Sequence, residues 1–308
     1  MPRKREKKET SPQAPNLTKS PREQGFFRAE DGTSLFYEIQ GEGRPLILNY
    51  GLTCRRRHWR HQIEHFSKKY SVITWDYRGH HASEMPRNDR HLTLEWCGRD
   101  LLSLIRALKL EEVVAVGHSM GVAVITEAIR QDPKPFHAAV FVCGAVSNPF
   151  DHMFHTDVLH RYYRWYSSLY QWAPDWLSSG WQKFTKKSAW GYFLTSRLGF
   201  NPTTAHSEDV WSYIEGVAET PLPVFLSLLD DYSRFDGRET LKKAMFPILC
   251  IAGGKDFITP MKVEEELVAL LPKGELKPVP LGSHNAHSDF PDEANAHMDE
   301  FLKKVKYR

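Results

Sequence analysis

Gly117, His118, Ser119, Met120 and Gly121 spell G-x-S-x-G, directly after the apolar run Val113, Val114, Ala115, Val116 and directly before a helix-like stretch over residues 122–130. The five letters alone are a modest signal, because short glycine-rich turns recur by chance. Between a buried strand and a helix they constrain much more. A serine on so sharp a strand-to-helix turn has its hydroxyl pushed out of the sheet, and the amide of the next residue faces the same space. Glycines flank it because a side chain there would collide with the neighbouring strand or helix. The competing reading is a structural turn with an idle serine, and it weakens with every partner for the serine found elsewhere.

Residues 33–40 alternate like a strand, and residues 45–49 and 72–75 are short apolar runs with a helix-like stretch, 58–68, between them. Residues 93–108 carry apolar side chains at helical spacing, and 138–142 read as the strand after the serine turn. The alternation resumes with a strand at 247–252, a helix at 261–271, a strand near 276–279 and a closing helix at 293–305. Strands alternating with helices imply a mostly parallel central sheet flanked by helices, an α/β fold. Between residues 148 and 243 the pattern breaks. That stretch has no convincing buried strand and holds six of the nine tryptophans, Trp165, Trp172, Trp176, Trp181, Trp190 and Trp211, with tyrosines and phenylalanines interleaved. The expected organisation is therefore a core of residues 29–147 and 244–308, a helical cap inserted at 148–243, and a tail at 1–28.

The tail is basic. Residues 1–28 hold eight Lys or Arg against three Glu, whereas the other 280 residues hold 33 against 35. With almost no apolar content it reads as a disordered solubilising leader, with loose binding to anionic surfaces as the alternative. The body of the chain gives no reason to expect nucleic acid. No apolar segment follows the basic residues as in a secretory signal, and no stretch approaches the roughly 18 apolar residues of a membrane span. Cys54, Cys97, Cys143 and Cys250 fit no metal spacing, and reduced thiols in a cytoplasmic protein are the simplest account. No cofactor is expected: Gly41, Gly43 and the Gly253–Gly254 pair do not form a dinucleotide-binding G-x-G-x-x-G. His58, His61 and His65 could share a helix face, but no carboxylate or cysteine completes a metal site.

A serine at neutral pH needs a base, and the base needs an acid to orient it. Asp256 follows the apolar run ending at Ala252, where a strand's carboxyl end would place it at a site, and Asp151 is the runner-up. His284 lies in a polar loop after the last strand, with His287 three residues on as the alternative base. Donors for a developing oxyanion would be the Met120 amide and the Leu52 amide after the Tyr50–Gly51 turn, with Thr53 next.

Taken together these residues resemble the α/β-hydrolase superfamily, in the branch of esterases, lipases and carbon–carbon bond hydrolases. The likeness runs from about Thr33 to the C-terminus and is carried by the Tyr50–Gly51 turn, the run Asp76, Tyr77, Arg78, Gly79, His80, the turn at Ser119, residues 254–260, and His284 with Asp289 and Pro291. Relatives commonly have histidine where Tyr50 stands and often glycine where His81 stands, and either change could reshape the pocket rim. In relatives an acidic residue follows the base by five positions and a proline by seven, which favours His284 over His287. The resemblance implies that Ser119 attacks a carbonyl, His284 takes its proton, Asp256 holds the imidazole tautomer, and Leu52 and Met120 stabilise the oxyanion. It disfavours relatives with an aspartate nucleophile.

The expected activity is hydrolysis of a carboxylic ester with a hydrophobic part, through an acyl-enzyme. Alternatives are acyl transfer, thioester cleavage or carbon–carbon hydrolysis by the same three residues, or a non-catalytic binding protein on the same scaffold. The aromatic residues of the insert could line the substrate pocket, form the insert's own core, or contact a membrane through Trp and Tyr beside Arg161, Arg164, Lys186 and Lys187. Composition alone does not support the last.

Overall fold

A computed structural model of the chain describes residues 22–153, 161, 165, 166, 168–170, 172–185 and 189–307. Eight strands form one sheet: β1 (Arg22–Arg28), β2 (Ser34–Gln40), β3 (Pro45–Asn49), β4 (Ser71–Trp75), β5 (Val113–His118), β6 (Phe136–Val142), β7 (Ile248–Gly253) and β8 (Gly274–Val279). Their order is β1-β2-β4-β3-β5-β6-β7-β8. The β1–β2 and β2–β4 pairings are antiparallel, and every pairing from β4 through β3 to β8 is parallel. Every residue of β5 and of β7 is buried. That is why these strands read as unbroken apolar runs: helices cover both faces of a parallel sheet.

Helices α1 (Arg60–Phe66), α2 (Leu94–Ala107) and α3 (Met120–Gln131) follow β3, β4 and β5 in turn. Helix α2 starts where Thr93 caps it, its hydroxyl accepting from the Trp96 amide at 3.3 Å. Leu94, Leu101, Leu104 and Ile105 line its inner face and are buried. Between β6 and β7 lie α4 (Pro174–Thr185), α5 (Ala189–Leu198), α6 (Ser207–Glu219) and α7 (Leu222–Tyr232). Helices α8 (Met261–Leu270) and α9 (Pro291–Lys304) then flank β8. The insert is not a separate body. Val224, Leu228 and Tyr232 of α7 belong to the main hydrophobic core, while Phe150, Leu177, Leu222 and Leu226 form a smaller cluster above it.

Two departures from the sequence reading stand out. From the sequence, residues 1–28 read as one disordered tail, but Arg22–Arg28 is strand β1, paired along its whole length with β2. Its stability comes from the neighbour's backbone ladder and one buried side chain, Phe27, rather than from apolar content of its own. Arg22 and Gln24 also reach the buried Glu38 of β2, at 2.5 and 2.6 Å. The rest of the tail, residues 1–21, lies outside the described residues. The single helix expected over 58–68 is a 3-10 turn, Arg56–Trp59, followed by α1.

Candidate active site

Ser119 stands at the junction of β5 and α3 with φ 53° and ψ −121°, a backbone conformation that side chains rarely adopt. The neighbouring backbones enforce it. A Cβ on Gly121 would fall 2.3 Å from the Asn49 carbonyl oxygen, so only glycine lets α3 approach β3 this closely. A Cβ on Gly51 would sit 3.1 Å from the Ser119 Cβ, which brings the loop after β3 directly over the serine.

The serine hydroxyl lies 2.9 Å from His284 Nε2, and His284 Nδ1 lies 2.9 Å from Asp256 Oδ2. Asp256 is held from three other directions. Its Oδ1 accepts from the amides of Ile258 at 2.7 Å and Thr259 at 2.9 Å, and its Oδ2 accepts the Thr259 hydroxyl at 2.6 Å. Nδ1 must carry the proton it donates to the carboxylate, which leaves Nε2 free to accept from the serine. An alcohol in this position can be deprotonated as it attacks a carbonyl. The amides of Leu52 and Met120 donate to no acceptor among the described residues, and both residues line the same cavity as Ser119 and His284.

The other sequence candidates fall elsewhere. Asp151 accepts from the Asn148 side chain at 2.8 Å in a short turn, and no contact joins it to His284. His287 is fully buried, its ring 4.5 Å from that of Trp59 and 4.6 Å from that of His118, and burial pushes its pKa down to about 3. Thr53 has a positive φ of 64° in the loop beside Leu52. His58 packs against Tyr213, and His65 meets Asp299 at 2.6 Å. Among the described residues no cluster of three or more His, Cys, Asp or Glu side chains could hold a metal ion.

The contacts of several supporting residues were not visible in the sequence. His118 Nε2 lies 2.9 Å from the His284 carbonyl oxygen, so that nitrogen carries the proton and donates. Burial, with His287 and His284 nearby, holds the His118 pKa well below its ordinary value, so the ring is neutral. The residue before the serine thus ties down the backbone of the base. Asp289 accepts from the Ser283 amide at 2.9 Å and from the Asn201 amide at 3.1 Å, joining the base loop to the insert. That gives a physical role to the acidic residue five places after His284. Tyr50 and His81 also meet, with ring centroids 6.2 Å apart. The Tyr50 hydroxyl donates to Asp76 at 3.0 Å, and His81 Nε2 donates to the Cys54 carbonyl at 2.9 Å.

The cavity over Ser119 measures about 430 Å³ and is walled by Phe150, Met153, Trp181, Ile214, Phe225 and Leu229, among others. No Lys, Arg, Asp or Glu among the described residues lines it. Cys54 also faces it, with a thiol that burial pushes up to about 12.

A family model described as the α/β-hydrolase fold matches residues 44–291, the greater part of the chain. The chain is an α/β-hydrolase. Among its relatives, a non-heme chloroperoxidase from Kitasatospora aureofaciens is 26% identical over 285 residues, covering 89% of this α/β-hydrolase and 98% of that protein. The (E)-2-((N-methylformamido)methylene)succinate hydrolase of Acinetobacter baylyi is 38% identical over 96 residues, covering 30% of this chain and 35% of that one. Among solved structures, a thermophilic esterase from Thermogutta terrifontis superposes with a TM-score of 0.75 at 19% identity, covering 92% of this chain and 99% of that one. That last likeness speaks to fold alone. The family and the name of the Acinetobacter relative support hydrolase chemistry for this α/β-hydrolase.

Proposed function

We propose that this protein is a serine hydrolase of neutral carboxylic esters with a hydrophobic acyl or alcohol part. The observation that carries the reading is the relay from Ser119 through His284 to Asp256, set at the floor of an apolar cavity without charged side chains among the described residues. In this scheme Ser119 Oγ attacks the ester carbonyl as His284 Nε2 takes its proton. The oxyanion is met by the amides of Leu52 and Met120. Collapse breaks the bond to the alcohol, which leaves with the proton from His284. Water activated by the same imidazole then releases the acid and restores the serine. Trp181 and Phe225 support the view that the insert acts as a cap over an apolar substrate.

Ser119→Ala is expected to abolish turnover of p-nitrophenyl esters while leaving the fold intact by circular dichroism. The wild type is expected to label with a fluorophosphonate probe and to prefer longer acyl chains over acetate. Unchanged activity in the alanine variant, or a folded wild type that never labels, would end the proposal. Product analysis with competing alcohol and thiol acceptors separates hydrolysis from acyl transfer.

A further inference from the structure

The described helices of the insert lie in two layers. Helix α6 lies inside, packed on the 3-10 turn Arg56–Trp59, and α4 and α5 pack on α6 from outside. The acids of α6 pair with arginines at the edge of the core: Glu215 and Glu219 meet Arg55 at 2.9 and 3.0 Å, and Glu208 and Asp209 meet Arg60 at 3.2 and 2.8 Å. The sequence of the outer helices is basic, and Arg161 and Arg197 are exposed. Between residues 161 and 199 the sequence holds Arg161, Arg164, Lys183, Lys186, Lys187 and Arg197 against the single acid Asp175.

The described outer helices also expose apolar side chains. Leu177 of α4 is buried at 6% exposure, but the adjoining Trp176 is 72% exposed and Trp172, four residues earlier, is 87% exposed. A surface helix ordinarily turns polar residues to water. Of the ten large apolar side chains exposed among the described residues, five lie between Trp165 and Leu194, so the exposure is concentrated rather than scattered. Leu194 also lines the cavity over Ser119, so this surface reaches the site.

We propose that the outer face of the insert, centred on Trp172 and Trp176, docks peripherally on an anionic lipid surface. Tryptophan suits such a surface because its ring is largely apolar while its N–H seeks a polar partner, which places it at the boundary of acyl chains and headgroups. Exposed cations such as Arg161 and Arg197 are drawn to anionic headgroups. A second copy of this chain would fit poorly, since pairing this face with itself brings cations against cations. No helix among the described residues is long and apolar enough to cross a membrane, so the contact is with the surface. Docking stands apart from the ester reading, because it is read by partition rather than turnover.

The test uses the full chain with vesicles of phosphatidylglycerol and phosphatidylcholine in equal parts, and with phosphatidylcholine alone. The wild type is expected to sediment with the anionic vesicles at low salt, with a blue shift of tryptophan emission, and to be released as salt is raised. The double variant Trp172→Ser, Trp176→Ser is expected to partition at least tenfold less, while retaining wild-type turnover of a soluble short-chain ester. That activity also shows that the variant is folded. The variant keeps the basic residues of the tail. Equal binding by variant and wild type would therefore overturn the proposal and assign attraction to the tail. No binding by the wild type would overturn it outright. A wild-type dimer that the variant dissolves would assign the face to self-association instead.

Discussion

Tyr50 and His81 occupy the two positions where relatives commonly carry histidine and often glycine, and here they face one another across the loop that bears Leu52. Tyr77 completes the brace, its hydroxyl donating to the Tyr50 carbonyl at 2.7 Å. His81 has a φ of 43°, so glycine there carries no backbone penalty. His81→Gly deletes the bond to Cys54, and Tyr50→His deletes the bond to Asp76. Each is expected to lower kcat on a soluble ester about fivefold with little change in KM, the scale of one lost hydrogen bond near 1 kcal/mol. The double variant should lose less than the product of the two. Steady-state kinetics on all four proteins check this, and additive losses would show that the two side chains act separately. Ser119, Asp256 and His284 were legible in the sequence because each follows a recognisable strand. The brace was not, and neither was the bond from His118 to the His284 carbonyl, because 166 positions separate those residues and only the folded sheet brings them together.

Among the elements, the turn between β5 and α3 has little room for change. In Gly121→Ala the new methyl would meet the backbone of β3 rather than a flexible side chain. A loss of about 2 to 3 kcal/mol in unfolding free energy is expected from such overpacking. Urea denaturation measures it, and an unchanged midpoint would mean that α3 can shift away from Asn49. The central strands were readable because burial on both faces leaves only apolar residues, as in Val113–His118. Strand β1 was not, since its pattern of charged and glycine residues is that of a loop until β2 lies beside it. The 3-10 turn before α1 escaped for a related reason: the arginines there satisfy acids on β2 and α6, partners that no local periodicity reveals.

At the scale of the molecule, buried histidines set the response to acid. Burial pushes His58 down to about 4 and His80 and His287 to about 3, and it holds His118 well below its usual value. In the unfolded chain each imidazole takes a proton near 6.5, but in the folded protein it does not, so stability falls as pH drops through 6.5. The carboxyls of Asp76, Asp100, Asp231, Glu264 and Asp289, which burial pushes up (Asp100 to about 6), act in the opposite sense, while the four imidazoles are the groups whose titration in the unfolded chain centres near 6.5. The urea midpoint is therefore expected to hold from pH 8 to 7 and to decline between pH 6.5 and 5.5. The scale is about 1 kcal/mol per pH unit for each uncompensated histidine. A midpoint that rises on acidification would contradict these burials. The union of α7 with the main core has a practical consequence for anyone exchanging substrate pockets between such proteins. Val224, Leu228 and Tyr232 would leave a hole in the main core if the whole stretch between β6 and β7 were swapped. A transplant joined before Leu222 would renew the outer walls and leave the foundation in place.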